Sequence, residues 1–435
     1  MADATANFDL GAATPLQTAD GQPLKAALKA AQARAKRRAF YLVAPLLAFV
    51  LITFIVPIGQ MLHQSVYNAD FTINVDKGTK AETPIMVNLQ AWFEQTGPNT
   101  PPDEAAFAAL VQDLAHLKEL RGQGEVGTRI NYDVPGTRSL FTKTARRSDR
   151  LEAPFMEAVL DIDEDWADPQ LWQAMRTASS PYTLSFYLAA LDMTRSETGE
   201  IVAVPENRQI RVKLFSRTLT LSVIITVLCF LLAFPIAHLL ATLPLRYSNL
   251  LMILVLLPFW TSLLVRTTSW IVLLQSQGVL NDTMVSLGIL GEDGRIQMIY
   301  NEMGTVIAMT HILLPFMVLP LFSVMRTINP SYVRAARSLG ATSWTAFRRI
   351  YLPQCVPGIG AGALLVFILA VGYYITPALV GGAKGTLISN EIAFHMTDSL
   401  NWSLAAALAT LLLGGVLALY WLYDRLVGID NLKLG

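Results

Sequence analysis

From Ala39 to Gly59 the chain carries 21 consecutive residues without a charged side chain. At about 1.5 Å of rise per residue, such a run crosses the roughly 30 Å hydrocarbon layer of a bilayer as a helix. Five further apolar runs follow: Thr218–Leu243, about 250–274, about 304–323, one opened by Pro357, and about 403–423. A helix satisfies its own backbone inside lipid, so the pattern predicts an all-α integral membrane protein with six transmembrane helices. Composition agrees, at 53% hydrophobic and 15% charged residues with mean hydropathy +0.43, against about 25% charged in soluble domains. The net charge of zero carries no information as a total, because the charges are segregated along the chain.

Residues 1–22 are small and polar and read as a disordered start. Residues 23–38 form a basic helix with Lys25, Lys29, Arg34, Lys36, Arg37 and Arg38, which places the N-terminus in the cytoplasm by the positive-inside rule. The basic segment lies too deep for a secretory signal, and no small-residue cleavage site follows the apolar run. Residues 64–208 hold 22 Asp/Glu against 13 Lys/Arg, a composition that belongs in water. Helices are expected there at about 103–121 and about 168–193. Asp161-Ile162-Asp163-Glu164-Asp165 lacks the glycine and closing glutamate of a calcium loop and reads as a solvated acidic turn. The chain therefore divides into a cytoplasmic tail (1–38), span one (39–63), a mainly helical extracytoplasmic insertion (64–211), a core of spans two to six (212–425) with a cytoplasmic loop at 324–354, and a cytoplasmic tail (426–435). Arg211, Lys213 and Arg217 oppose the charge rule, and an interfacial helix before span two would accommodate them.

The 324–354 loop carries Arg326, Arg334, Arg337, Arg348 and Arg349 and no Asp or Glu. Asn329-Pro330-Ser331 supplies a turn and a helix start, Ala335 and Ala336 favour helix, and Gly340 permits the turn that ends it. Thr342 or Ser343 caps a second short helix with Trp344, Phe347 and Ile350 on one apolar face, and Pro353 is expected to stop it. A helix–Gly–helix hook is more than membrane orientation requires.

The spacing of Arg334-Ala335-Ala336, Gly340-Ala341, Phe347, Ile350, Leu352 and Pro353 resembles the EAA loop of ABC importer permeases. In that family the loop is a coupling helix that docks into a cytoplasmic ATPase. Arg334 stands where the family has glutamate, which puts any salt bridge from that position in doubt. Leu257-Pro258-Phe259-Trp260-Thr261-Ser262-Leu263, with Arg266-Thr267 and Gly278-Val279-Leu280-Asn281, is similar to spermidine/putrescine-type members, as are Leu314–Leu321 and Gly381-Gly382-Ala383-Lys384. Arg266 lies about 24 Å across its span at about 1.5 Å per residue, where it either snorkels to the outer headgroups or lines the path. Gly372-Tyr373-Tyr374-Ile375-Thr376-Pro377 interrupts the fifth span; Trp260, Arg266, Tyr373, Tyr374 and Thr376 are the pathway candidates. Gly358 and Gly362 give a face for close helix packing.

The resemblance implies a type I ABC importer permease fold, with this chain as half of the pore in a bacterial inner membrane. It further implies a second homologous permease, an ATPase dimer carrying ATP and Mg, and an extracytoplasmic substrate-binding protein. No phosphate-binding G-x-x-x-x-G-K-[ST] run occurs, so no nucleotide site or other cofactor is expected in this chain, nor a nucleic-acid partner. His238 and His311 alone do not make a membrane enzyme, and Cys229 and Cys355 suggest neither disulfide nor metal. A receptor built on the insertion would not need the hook. The cargo is a polyamine by resemblance; the lack of carboxylates within spans two, three and five leaves another amine, an amino acid or an organic anion open.

Overall fold

The structure, a computed structural model, describes residues 24–427 apart from Lys77, Asn99 and Glu197. The readings for residues 1–22 and for 428–435 of the tail lie outside the described residues. Two units are distinguished, the second beginning at Leu62. The basic segment and the first apolar run join in one helix that starts at Leu24, with its apolar part at Ala31–Gln64. Leu51–Ile55 widens into a π turn, and the Val56 N–H bonds back to the Leu51 carbonyl. The wider turn comes directly before Pro57, whose ring and missing N–H do not fit a regular α-helix.

Residues 64–211 fold into a small helical body. In Glu104–Leu120 the buried Phe107, Leu110, Val111, Leu114 and Leu117 recur at helical spacing, which makes one apolar face. Asp103 caps this helix by accepting from Ala106 N, 2.9 Å. That face packs with Trp166, Phe141, Leu89 and Trp172 in one core. Asp113, buried on the same helix, accepts from Asn88 N, Asn88 Nδ2 and Leu89 N, fixing the start of Val87–Gln95. Burial pushes its carboxyl above the ordinary range, and those three donors oppose the shift. The helix expected over 168–193 is two, Pro169–Ala178 and Ser185–Ala190. Pro181 lies between them, and its carbonyl accepts from Asn68 N at 2.8 Å. The acidic turn is a short 3-10 helix capped by Asp163, which also pairs with Lys143 at 2.8 Å.

Among the described residues five helices are long and apolar enough to cross a membrane, and a bent pair, Leu245–Trp260 with Leu263–Ser286, makes the sixth span. Spans two (Arg211–Thr242), four (Glu302–Thr327) and five (Ser343–Gly372) share one core. Ile225, Cys229, Ala233 and Ala237 of span two are fully buried, a stripe of mostly small residues four apart that lets a neighbour approach closely. Gly358 and Gly362 do the same for span five. A Cβ at Gly358 would stand 3.0 Å from Val324 Cβ and 3.1 Å from the Pro320 carbonyl, and one at Gly362 2.7 Å from Met317 Sδ. Both cysteines are free and buried.

The helix of span two begins at Arg211 itself, after a single 3-10 turn at Glu206–Arg208. Arg211 and Arg217 sit in its first two turns, and the carboxylates of other elements accommodate them: Asp192 and Glu391 are 3.9 Å from Arg211, and Glu302 is 3.4 Å from Arg217. A hydrogen bond from His395, with Arg211 behind it, holds the Glu391 carboxyl below its usual range. The insertion is seated on the membrane core at this end. Phe186 and Ala190 pack against Leu214, Leu404, Ala407 and Leu408, and Asn68 Nδ2 donates to Ser403 Oγ at 3.1 Å.

Candidate functional site

Two interruptions of the helical core hold the residues singled out by sequence. The first is the 329–353 hook. Ser331–Ser338 is a helix with no buried residue. It ends with Gly340 at φ 90, where Gly340 N bonds the Arg337 carbonyl and Ala341 N the Ala336 carbonyl, both at 3.0 Å. This pair of bonds is the Schellman closure, which asks for a glycine at that position. A Cβ on Gly340 would meet nothing within 4 Å, so the constraint is conformational and not one of space. Ala335 contributes its carbonyl to Leu339 N, 3.0 Å.

Thr342 then caps the second helix through its hydroxyl, accepting from Thr345 N at 3.2 Å. Phe347 stacks between Trp344 and Tyr351 and meets Phe234 of span two edge-on at 6.0 Å. Tyr351 is buried, with its hydroxyl 3.0 Å from His238 Nδ1. Phe347 therefore roots the hook in the core, and Ile350 is half-buried. Pro353 does not stop the helix, which continues as Ser343–Gly372. The reason is a π turn over Phe347–Tyr351, where Leu352 N reaches the Phe347 carbonyl. Gln354 Nε2 then covers the Ile350 carbonyl at 2.7 Å.

What the hook presents outward is Arg334, Arg337, Arg348 and Arg349 together with bare apolar groups. Leu339 is 90% exposed and Trp344 68%. None of those arginines has a carboxylate within ion-pair distance among the described residues. Leu339 was missed at the sequence level; its signal is an aliphatic residue at the Gly-closed end of an otherwise polar helix.

The second interruption lies in the apolar runs. The third span, expected to be continuous, turns by 97° between Trp260 and Leu263. Ser262 caps the second half, accepting from Val265 N at 3.2 Å. Arg266 is engaged with backbone: its Nη2 donates to the Pro258 carbonyl and, at 3.1 Å, to the Thr261 carbonyl. The guanidinium ties together two carbonyls of the break, of which Pro258 also accepts from Thr261 N and Thr261 Oγ1. Next to it, Thr267 Oγ1 stands 3.3 Å from Thr376 Oγ1, both buried.

Thr376 belongs to the other break. Gly372 ends span five, and Tyr373 and Tyr374 are non-helical. Their carbonyls accept from Ser389 Oγ at 2.6 Å and Asn390 Nδ2 at 2.8 Å. Short helices Ile375–Val380, Gly382–Gly385 and Ile388–Thr397 follow before span six. Arg266, Tyr373 and Thr376 thus share a neighbourhood, and Arg266 acts electrostatically on both Tyr373 and His311. His311 Nδ1 accepts from Trp270 Nε1 at 3.1 Å, a structural tie. Tyr374 is half-exposed, and Trp260, 85% exposed, has no ring partner among the described residues.

Comparison with known proteins places this geometry among others. Residues 223–427 match the family described as binding-protein-dependent transport system inner membrane component. The chain is 37% identical over 213 residues to the spermidine/putrescine transport system permease protein PotB of Escherichia coli K12, covering 48% of this chain and 77% of that protein. It is 33% identical over 226 residues to the inner membrane ABC transporter permease protein YdcU of the same organism, covering 49% and 70%. A solved bacterial alginate ABC transporter, in complex with an alginate pentasaccharide-bound periplasmic protein, aligns at TM-score 0.42 and 20% identity over 52% of this chain and 81% of that one.

Proposed function

The chain belongs to the binding-protein-dependent transport system inner membrane component family, the multi-pass inner-membrane permeases of ABC importers, and on that premise we propose that it forms half of the translocation path for a polyamine. The observation that carries the coupling half of this reading is the hook: a Schellman-closed helix pair, rooted by Phe347 and Tyr351, that exposes Leu339, one face of Trp344 and four arginines with no carboxylate partner among the described residues. An exposed apolar pair rimmed by charge suits a protein contact. Its partner is an ATPase subunit, which binds ATP and Mg, and closure of an ATPase pair moves the hook as a lever. With Arg334 in the place of a glutamate, that ATPase should offer an acidic group there, and not a basic one. Both termini and the hook then lie in the cytoplasm, and the acidic insertion lies outside with the substrate-binding protein. A second permease completes the path.

The polyamine assignment rests on the PotB relatives. Tight binding of a cation at membrane depth asks for carboxylates. Spans two and five have none, and Glu302 and Glu391 stand at the insertion-side ends, engaged with Arg217 and His395. The path therefore holds its cargo weakly, through aromatic faces such as Trp260 and Tyr374, and leaves selection to the binding protein. Uptake of labelled putrescine, spermidine and 4-aminobutyrate in a deletion strain tests this. Loss of putrescine or spermidine uptake is expected; survival of both with loss of 4-aminobutyrate uptake would move the cargo to another amine.

A further inference from the structure

A cavity of about 400 Å³ lies where the insertion meets the membrane core. The helix Pro169–Ala178 and the strand Met193–Arg195 line one side, and Arg211 of span two with Asn401 and Leu404 beside span six line the other. Its charged lining is Arg195, Arg208 and Arg211 against Asp133. Asp133 is already taken by the buried Arg129, at 2.6 Å. Arg211 donates to the Ala189 carbonyl at 2.9 Å and faces Asp192 and Glu391 at 3.9 Å. Asp192 in turn accepts from Val212 N, and Glu391 is held by His395. Arg195 and Arg208 have no carboxylate partner among the described residues. The Nε groups of Arg195 and Arg211 are buried without any hydrogen-bond acceptor.

A buried guanidinium N–H left without an acceptor is costly, and in the lining three arginines face one carboxylate, Asp133, which Arg129 already engages. Arginine presents forked donors that suit carboxylate and phosphate oxygens. Gln170, Gln173 and Asn401 add neutral donors and acceptors around them. The volume is in the range of small-molecule sites, about 300–1,000 Å³. From this we infer that the cavity binds a small organic anion with at least two acidic groups, one for Arg195 and one for Arg208, with Arg211 between the insertion and span two. The site is distinct from the cargo path: its arginines repel a polyamine, and it stands whether or not the cargo is one. Its occupant touches the insertion and the ends of spans two and six together, so binding stiffens that junction.

The same chemistry can come from a soluble di- or tricarboxylate or from a phospholipid headgroup, and the test separates them. Purified permease complex in phosphatidylcholine nanodiscs is titrated calorimetrically with citrate, succinate, inorganic phosphate and spermidine at fixed ionic strength. Saturable citrate or succinate binding is expected, without any for spermidine, and at least tenfold weaker in the double variant Arg195→Gln with Arg208→Gln. Arg195→Lys with Arg208→Lys, which keeps the charge but not the forks, should fall between and guards against a folding defect. Citrate binding that disappears when cardiolipin, which carries two phosphates, is included assigns the site to a headgroup and supports the anion chemistry. Absence of saturable binding by every anion, or equal binding by the Gln double variant and the native chain, overturns the proposal.

Discussion

The hook at 329–353 and the breaks at 257–262 and 373–374 are both interruptions of helix, yet they end in opposite states. At the breaks carbonyls find donors inside the chain: Arg266 serves two, Ser389 and Asn390 two more, and Thr267 meets Thr376. Lipid leaves no alternative, since unpaired backbone at membrane depth is heavily penalised. The hook closes its backbone with equal care, through Gly340 and Thr342, but leaves its side chains bare. The difference separates residues that hold the fold from residues held out to a partner. Substitutions at the breaks should therefore lower stability, and those on the hook's outer face should lower coupling alone.

The largest stability effect should come from Arg266→Leu, which removes charge-assisted bonds to two carbonyls, although the Pro258 carbonyl keeps its bonds from Thr261 N and Thr261 Oγ1. A loss of about 3 kcal/mol is expected, read as a lowered melting temperature of the detergent-purified chain; an unchanged melt would mean that the break does not depend on its guanidinium. Gly358→Leu follows, because its Cβ would press on Val324 and on the Pro320 backbone; overpacking of this kind costs about 1–3 kcal/mol. Smallest is Leu339→Ser, at a 90% exposed position, where the melt should move by no more than about 0.5 kcal/mol while ATPase association weakens. A destabilised Leu339→Ser chain with normal association would reverse the comparison.

These two regions were unequally legible in the sequence. The hook could be read because its constraints are local: a glycine at a fixed interval after Ala335-Ala336, then Thr342 ahead of a short helix. The third span was not, because hydropathy is blind to backbone direction. Pro258 did not announce the 97° turn, since Pro315 and Pro320 sit inside Glu302–Thr327, which stays helical. What distinguishes them is Thr261-Ser262, a cap in the middle of an apolar run. The partners of Arg266 are carbonyls, which no side-chain pattern records. Pro353 misled for a related reason: a π turn ahead of it let the helix run on. The insertion's helix at 104–120 followed from its period, whereas its seat on spans two and six depends on contacts between Phe186 and Leu404 that are far apart in the chain.

The central claim is that the hook carries motion between an ATPase and the membrane path, and Gly340 is where it can be tested with least collateral damage. Valine there would have room for its side chain but not for its backbone, since φ is 90 and no neighbour lies within 4 Å of a Cβ; such a strained conformation costs about 1–3 kcal/mol locally. In proteoliposomes containing the assembled importer and its binding protein, Gly340→Val should leave membrane insertion and basal ATP hydrolysis intact and abolish the stimulation of hydrolysis by substrate-loaded binding protein. Full stimulation by the Gly340→Val complex would contradict the account.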